Sequence, residues 1–353
     1  MRFSLMIDFG RTSPEESMDE VMANVLELVQ LADAGGFDAV YCGEHHGIEM
    51  TIAPNPFIVL ATWAQHVERI RLGTAVVCAP YWHPIRLAGE AALVDNIAGG
   101  RLELGIGRGA YPYEFNRMGG GISPEIARQY LWELVPALKG LWAGDYTHEG
   151  PRWSFPETTS TPRPVQQPHP PLWIAARHPE VFDFAVQQRA NVMATPLHWP
   201  FEEVVSLRER LDAAVERDGG EFTPKLMVLR ESCVYDEGTD WREPTRYIRE
   251  AAAYFETLFS NVGAVHHGFP ERADLSRLDG EHYGEGAVWE NHVFGTPDEV
   301  IAKLRRYEEA GVDRFLYGAS WKAPQELKRR SLELFIEEVI PAFTGERAGA
   351  AGR

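Results

Sequence analysis

The stretch Asp38-Ala39-Val40-Tyr41-Cys42-Gly43-Glu44-His45-His46 sets the fold: a short apolar run stops at Gly43 and gives way to a carboxylate and two imidazoles. A run of this length, rich in β-formers and closed by glycine, reads as a buried strand. Upstream, residues 18–34 carry apolar side chains at helical spacing and stop at Gly35-Gly36, a helix C-terminal signal. Before them, residues 2–9 (RFSLMIDF) read as a first strand. Downstream the alternation continues. Residues 57–66 are helical, 70–78 (IRLGTAVVC) a third strand, 84–97 a helix ended by Gly99-Gly100, 101–106 (RLELGI) a fourth strand and 126–142 a helix.

The second half repeats the rhythm. Strands are expected at 172–176, 191–194, 225–235 and 314–317, with helices near 179–188, 201–217, 244–259 and 325–339. Thr296-Pro297-Asp298-Glu299 offers an N-cap threonine, proline at the first helical position and glutamate three residues after the cap. The helix it opens runs to Gly311. Eight strands alternating with helices imply parallel pairing and right-handed crossovers. The fold class is therefore α/β, and a single (β/α)₈ TIM barrel is the simplest closure. An open doubly wound sheet is the alternative that counting leaves. A barrel needs about 250 residues, so 353 residues allow one domain over 1–345 with insertions, and a disordered tail at 346–353.

Composition narrows the partners. A net charge of −18 repels phosphate backbones, which argues against nucleic acid and requires any bound anion to find a local basic cluster. The three cysteines, Cys42, Cys78 and Cys233, form no C-x-x-C pair, so no disulfide framework or zinc site is suggested, and Cys42 and Cys78 read as core filler. No apolar run approaches the roughly 20 residues of a membrane span, and no signal peptide is apparent at the start. A cytoplasmic setting is expected.

Two stretches break the rhythm. Residues 144–171 are rich in Pro and Thr, and residues 262–290 are polar and Gly-rich. Long loops in a compact domain are usually lids or disordered segments. Functional loops of a parallel barrel sit at the C-terminal ends of strands. The second stretch is therefore expected to close over that mouth.

The residues that carry chemistry fall at those same ends. Glu44, His45 and His46 follow the second strand, and an imidazole there can serve as a base or hydrogen-bond a reacting oxygen. Adjacent histidines diverge, so they make a poor metal site. Gly105-Ile106-Gly107-Arg108-Gly109 follows the fourth strand, with the next helix expected about fifteen residues later. That is not a dinucleotide loop. Its glycines allow a flat ring or a phosphate to approach the backbone, and Arg108 offers a fork of donors. Arg177 and His178 follow the fifth strand at a helix start, a second anion-binding element that would share one phosphate with Arg108. His83 and Arg86 read as helix-capping or exposed residues. Trp82, Trp173, Trp199, Trp289 and Trp321 are candidates for core or pocket wall, none assigned individually.

In this order and spacing, Glu44-His45-His46, Asn55-Pro56, Gly73-Thr74-Ala75, His83-Pro84-Ile85-Arg86, Gly99-Gly100-Arg101 and Gly105 to Tyr111 closely resemble the bacterial-luciferase-like family of flavin-dependent monooxygenases. Gly295 to Val300 and Ala310 to Asp313 resemble that family's last barrel unit. The resemblance implies the luciferase-like (β/α)₈ barrel and an enzyme that uses reduced FMN from a separate flavin reductase. O₂ is its co-substrate, activated as a flavin C4a-peroxide, and an apolar or natural-product-like organic molecule is oxygenated. It places His45, matching the family's catalytic histidine, and Glu44 as the catalytic residues, and Ala75-Val76 as a non-proline cis peptide against the flavin ring. Gly107 and Arg108 would lie at the cofactor, with Arg108 on its phosphate. Arg177 and His178 fall where luciferase has an acidic residue and a serine, and Gly107 where it has a reactive cysteine. The stretch 262–290 matches the mobile active-site loop. A homodimer is implied through helices of the first half of the barrel. Two other readings stay open: a deazaflavin-dependent hydride-transfer enzyme on the same barrel, and a non-catalytic flavin-binding subunit.

Overall fold

Each short β-rich run forms a strand because its apolar side chains can be buried on both faces, toward the barrel axis and toward the surrounding helices. The computed structural model describes residues 1–261, 263–277, 280–319 and 322–344. The barrel strands are β1 (Arg2–Met6), β2 (Ala39–Cys42), β3 (Arg71–Thr74), β4 (Leu102–Gly107), β5 (Leu172–Ala175), β6 (Asn191–Ala194), β7 (Leu226–Val234) and β8 (Arg314–Gly318). All neighbours pair in parallel, and β8 pairs with both β7 and β1, which closes the barrel and removes the open-sheet alternative.

Helices form in the expected places and also in places the sequence did not announce, among them residues 280–291 of the stretch expected to be a loop. They are α1 (Met18–Ala34), α2 (Pro56–Ala64), α3 (Pro84–Ile97), α4 (Pro112–Met118), α5 (Pro124–Ala143), α6 (Pro179–Gln187), α7 (Glu202–Arg217) and α8 (Arg242–Ser260). After them come α9 (Gly280–Tyr283), α10 (Glu285–Asn291), α11 (Pro297–Glu309), α12 (Gln325–Leu334) and α13 (Ile340–Thr344). Thr296 and Glu299 form the expected capping box at the start of α11. His83 caps α3, accepting from the Ile85 amide at 3.3 Å, and Arg86 pairs with Glu90 on the exposed face.

Three expectations are corrected. The short helix α4 begins at Pro112, much closer to the glycine loop than expected, because Pro112 fits a first helical turn and Tyr111 anchors it with buried aromatic surface. Residues 144–171 are not structureless: Tyr146–Glu149 and Ser154–Thr158 pair as an antiparallel hairpin. The helix expected over 325–339 is regular only to Leu334 and continues as a π-helical turn, Phe335–Val339. A short strand Val293–Gly295, not foreseen, extends the C-terminal end of β7.

The core has two parts. Most apolar side chains lie between sheet and helices, and a smaller cluster that includes Met6, Tyr41, Trp173, Met193, Met227 and Leu316 fills the barrel. A buried polar plug closes this interior on the N-terminal side. Glu103 accepts hydrogen bonds from Arg314 and Trp173 at 2.7 Å each, and from Tyr41. Burial pushes the Glu103 carboxyl up, but the charges of Arg314 and Arg71 and the Tyr41 bond outweigh it and hold it below its usual range. The opposite end is therefore the open one. Cys42 and Cys78 are buried, as read from the sequence. Trp321, the tail at 346–353, and positions 262, 278 and 279 of the expected lid lie outside the described residues.

Candidate active site

The loop after β2 is built around two buried carboxylates. Glu114, on α4 and 1% exposed, receives the backbone N–H of His46 at 2.7 Å and lies 3.2 Å from His45 Nδ1. Burial works against an imidazolium at His45. The Glu114 hydrogen bond and the charges of Glu114, Asp8 and Glu44 overcome it, so the His45 pKa is raised. Glu44 is differently employed. One of its oxygens accepts from Cys78 N at 2.6 Å and Trp82 Nε1 at 2.8 Å, and the other contacts His46 Nε2 at 2.8 Å. Both are taken up in fixing the loop, while the Nε2 side of His45 lies beside Gly43 and Asp8.

Beside this loop, β3 ends in the Ala75-Val76 peptide, which is cis. Ala75 and Val76 are half-buried and pack against the apolar interior of the barrel. Gly107 lies next to them at the end of β4. A Cβ there would come within 2.7 Å of Val76 Cγ2 and 3.3 Å of Ala175 Cβ, so only glycine leaves this floor flat.

Ends of the neighbouring strands β4 and β5 carry the basic residues. Arg108 is half-buried, and its Nη1 is shut off from solvent with no hydrogen-bond partner. Burial, then Arg128 and Arg177, lower its proton affinity, although a guanidinium stays charged. Exposed Arg177 and His178 stand at the start of α6. The His178 pKa is lowered by burial and by Arg128, Arg108, Arg177 and Arg210. Four guanidiniums gathered around one imidazole, two of them also paired with Glu180 and Glu203 and with a buried donor left over, make a locally basic patch of a kind that can hold an anion.

Sequence reasoning missed part of this constellation. Arg128 on α5 and Arg210 on α7 converge on the cluster from helices, where a single arginine has no motif to announce it. Arg128 Nε is a second buried, unpartnered donor, while its Nη1 pairs with Glu180. Glu114 gave no signal either. Its role exists only because α4 folds back over the loop after β2. On the opposite wall, Glu231 shares the inner face of β7 with Met227 and Leu229. Its Oε2 has no partner, and burial followed by the charge of Asp8 pushes its pKa up to about 7.

Over the mouth lie the described parts of the stretch 262–290. A two-stranded turn, Val265–His266 with Phe269–Pro270, reaches the loop after His46, where Glu49 N donates to Gly268 O at 2.8 Å. The Tyr111 ring lies tilted 5.0 Å from that of His45 and edge-to-face 4.6 Å from that of Phe259. Beyond it is a cavity of about 370 Å³ between α8, α9 and the loop after β6. Trp199 lines it, whereas Trp82 and Trp173 are core and Trp289 packs at the side beneath Lys303. Among the described residues no three His, Cys, Asp or Glu side chains gather as a metal site, and no helix is long and apolar enough to cross a membrane.

The sequence profile of the luciferase-like monooxygenases matches residues 1–314. The chain belongs to that family. It is thus an enzyme of the flavin-dependent monooxygenase type. The oxygenase component of the flavin-dependent trigonelline monooxygenase of Acinetobacter baylyi is 42% identical over 345 residues, spanning 98% of this chain and 96% of the relative. The monooxygenase RslO1 of Streptomyces bottropensis superposes with a TM-score of 0.81 at 28% identity, covering 97% of this chain and all of the other. The oxygenating constituent of 3,6-diketocamphane monooxygenase from Pseudomonas putida, solved with FMN, shares the fold with a TM-score of 0.73 at 20% identity, over 97% of this chain and 98% of that one.

Proposed function

We propose that this luciferase-like enzyme binds reduced FMN delivered by a separate reductase and inserts one atom of O₂ into a small organic substrate at the barrel mouth. The observation that carries the reading is the pair of buried, unpartnered guanidinium donors, Arg108 Nη1 and Arg128 Nε, beside Arg177 and His178 at the ends of β4 and β5. Their charge and their open hydrogen-bonding capacity fit a phosphate monoester. The flat floor formed by Ala75, Val76 and Gly107 fits the ring such a phosphate would carry. Reduced flavin supplies two electrons when bound, and the second oxygen atom leaves as water.

The chain's own residues then do three things. Arg108, Arg128, Arg177 and His178 fix the phosphate and so the ring's position. The lid and Tyr111 keep water from the mouth, as oxygen chemistry requires. His45, with Nδ1 held by Glu114, presents Nε2 to hold or deliver a proton. Glu44 acts through the loop it fixes and is a positioning residue. A homodimer through the first half of the barrel is supported by exposed Ile58 on α2 and by Leu93 and Ile97 on the adjoining α3.

The test is turnover with purified reductase, NADH, FMN and isotopically labelled O₂. The wild type should consume O₂ and place one labelled atom in product. His45→Ala should bind FMN normally and lose oxygenation. Turnover with a reduced deazaflavin but not with FMN, without O₂ consumption, would overturn the proposal.

A further inference from the structure

The ring order of the barrel sets two walls face to face across its mouth. Eight strands paired in sequence put β7 opposite β3 and β8 opposite β4. The flat floor of Ala75, Val76 and Gly107 belongs to the ends of β3 and β4. Glu231 on β7 and Gly318 on β8 stand across from it, and the two are partners in register. Alternation along β7 turns Glu231 inward with Met227 and Leu229. Gly318 makes room for the carboxyl: a Cβ there would lie 2.8 Å from Glu231 Oε2 and 2.9 Å from the Arg230 carbonyl oxygen. Next in the ring, Asp8 follows β1, and its Oδ1 accepts from Gly43 N at 2.8 Å. Asp8 Oδ1 and His45 Nε2 flank the open side of Gly43, where a Cβ would meet them at 3.6 and 3.4 Å.

The other buried carboxyls of the barrel are bonded to their neighbours. Glu44 holds Cys78 N and Trp82, Glu103 holds Arg314 and Trp173, and Glu114 holds His46 N. Glu231 Oε2 is equally shut off from solvent and holds nothing. The titratable groups that face Glu231 among the described residues are Asp8 after β1, Tyr111 ahead of α4, Tyr317 on β8 and Lys328 on α12. Asp8 carries the same sign. The Tyr317 hydroxyl is engaged with Ser331 Oγ at 2.6 Å. Lys328 is an incomplete counter-charge, because burial and then Lys322 pull its pKa down to about 7. Burial of the carboxyl and then Asp8, opposed by Lys328, raise Glu231 to about 7 as well. The acid form is therefore populated at neutral pH, and a carboxylic acid has an O–H to donate.

We infer that Glu231 is a further residue of the active centre: from the wall opposite the flavin floor it donates a hydrogen bond to an acceptor atom of the organic molecule bound above that floor. This rests on the reading of Ala75, Val76 and Gly107 as the place of the flavin ring. Glycine at 43, 107 and 318 and alanine at 75 and 175 keep the strand ends low, which leaves the space between the two walls to a ligand. Tyr111 borders the same space. Its ring lies 5.0 Å from that of His45, and burial, then Glu114, Asp8, Cys78 and Glu231, push its phenol up. The two walls differ in what they offer. His45 is held by Glu114, whereas Glu231 Oε2 keeps its bonding capacity for the ligand. A ligand acceptor that takes the Glu231 proton in a hydrogen bond satisfies the group that the empty protein leaves unmatched.

The test titrates the FMN complex, followed by flavin absorbance, with acetophenone and with α-methylstyrene, a near-isostere that lacks the acceptor oxygen. At pH 6 the wild type should bind acetophenone about three- to tenfold more tightly. The donor is lost as Glu231 ionises, so that preference should fade as pH rises through about 7 while α-methylstyrene affinity holds. Glu231→Gln keeps an N–H donor and should keep the preference at every pH. Glu231→Leu should abolish it. Equal affinity of the wild type for the two probes overturns the inference even if neither variant folds. So does a preference that fades with pH as steeply in Glu231→Gln as in the wild type, because the proton then belongs to another group. Absence of saturable FMN binding sinks the cofactor reading and the inference built on it, whereas FMN binding without preference for acetophenone sinks this inference alone.

Discussion

Replacing Arg108 by methionine separates the energetics of the empty protein from those of the complex. The apolar stem is largely retained and the guanidinium is lost. In the free protein, Arg108 Nη1 is buried without a partner and sits within the fields of Arg128 and Arg177. An unsatisfied buried donor costs about 1–3 kcal/mol, so its removal should leave the apo protein as stable as before or more stable by about 1 kcal/mol. In the complex the same group would make a charge-assisted bond to phosphate worth about 1.5–3 kcal/mol. Its loss should weaken FMN by roughly 10–150-fold. Quenching of flavin fluorescence gives both affinities directly, with riboflavin as the control because it has the ring and no phosphate. FMN affinity should fall and riboflavin affinity should hold, while urea unfolding of the apo protein shows no loss. An equal fall for both flavins, or no fall for FMN, would refute the assignment of Arg108 to the phosphate.

Two further outcomes follow from the buried carboxylates. Glu114 holds the His45 pKa above its unfolded value against burial, so protonated His45 adds stability that is complete below about pH 6.5 and is lost as pH rises through the folded value. Glu114→Gln should shrink that acid-side contribution in urea titrations, and should move the loss of oxygenation activity at rising pH toward lower pH. At the other end of the barrel, Glu103→Leu leaves Arg314 buried without its counter-charge and should cost about 3–5 kcal/mol in urea unfolding, with riboflavin and FMN affinities unchanged in the folded fraction.

The barrel was legible because its determinants are local. Each strand is a short apolar run, each helix has its own spacing and caps, and Thr296 with Glu299 announced α11 before any contact was known. The strand ends were legible for the same reason: polar residues placed directly after β2, β4 and β5 must lie at the mouth. The rest depends on contacts between segments distant in sequence. Arg128 and Arg210 reach the basic cluster only because α5 and α7 flank α6 in the closed ring, and Glu114 meets His45 across a separation of 69 residues. The cavity beyond Tyr111 is lined by the loop after β6, α8 and α9, three segments whose sequences share no motif. The hairpin in residues 144–171 escaped notice because its strands are mostly exposed and carry Pro and charged residues, so they lack the apolar alternation that marks a half-buried pair.

The most direct measurement is a crystal structure of the protein soaked with FMN. The phosphate should lie within hydrogen-bond distance of Arg108 Nη1 and Arg128 Nε, and the ring on Ala75-Val76 and Gly107 with His45 facing its edge. A phosphate bound away from these guanidiniums, or a ring elsewhere than this floor, would contradict it.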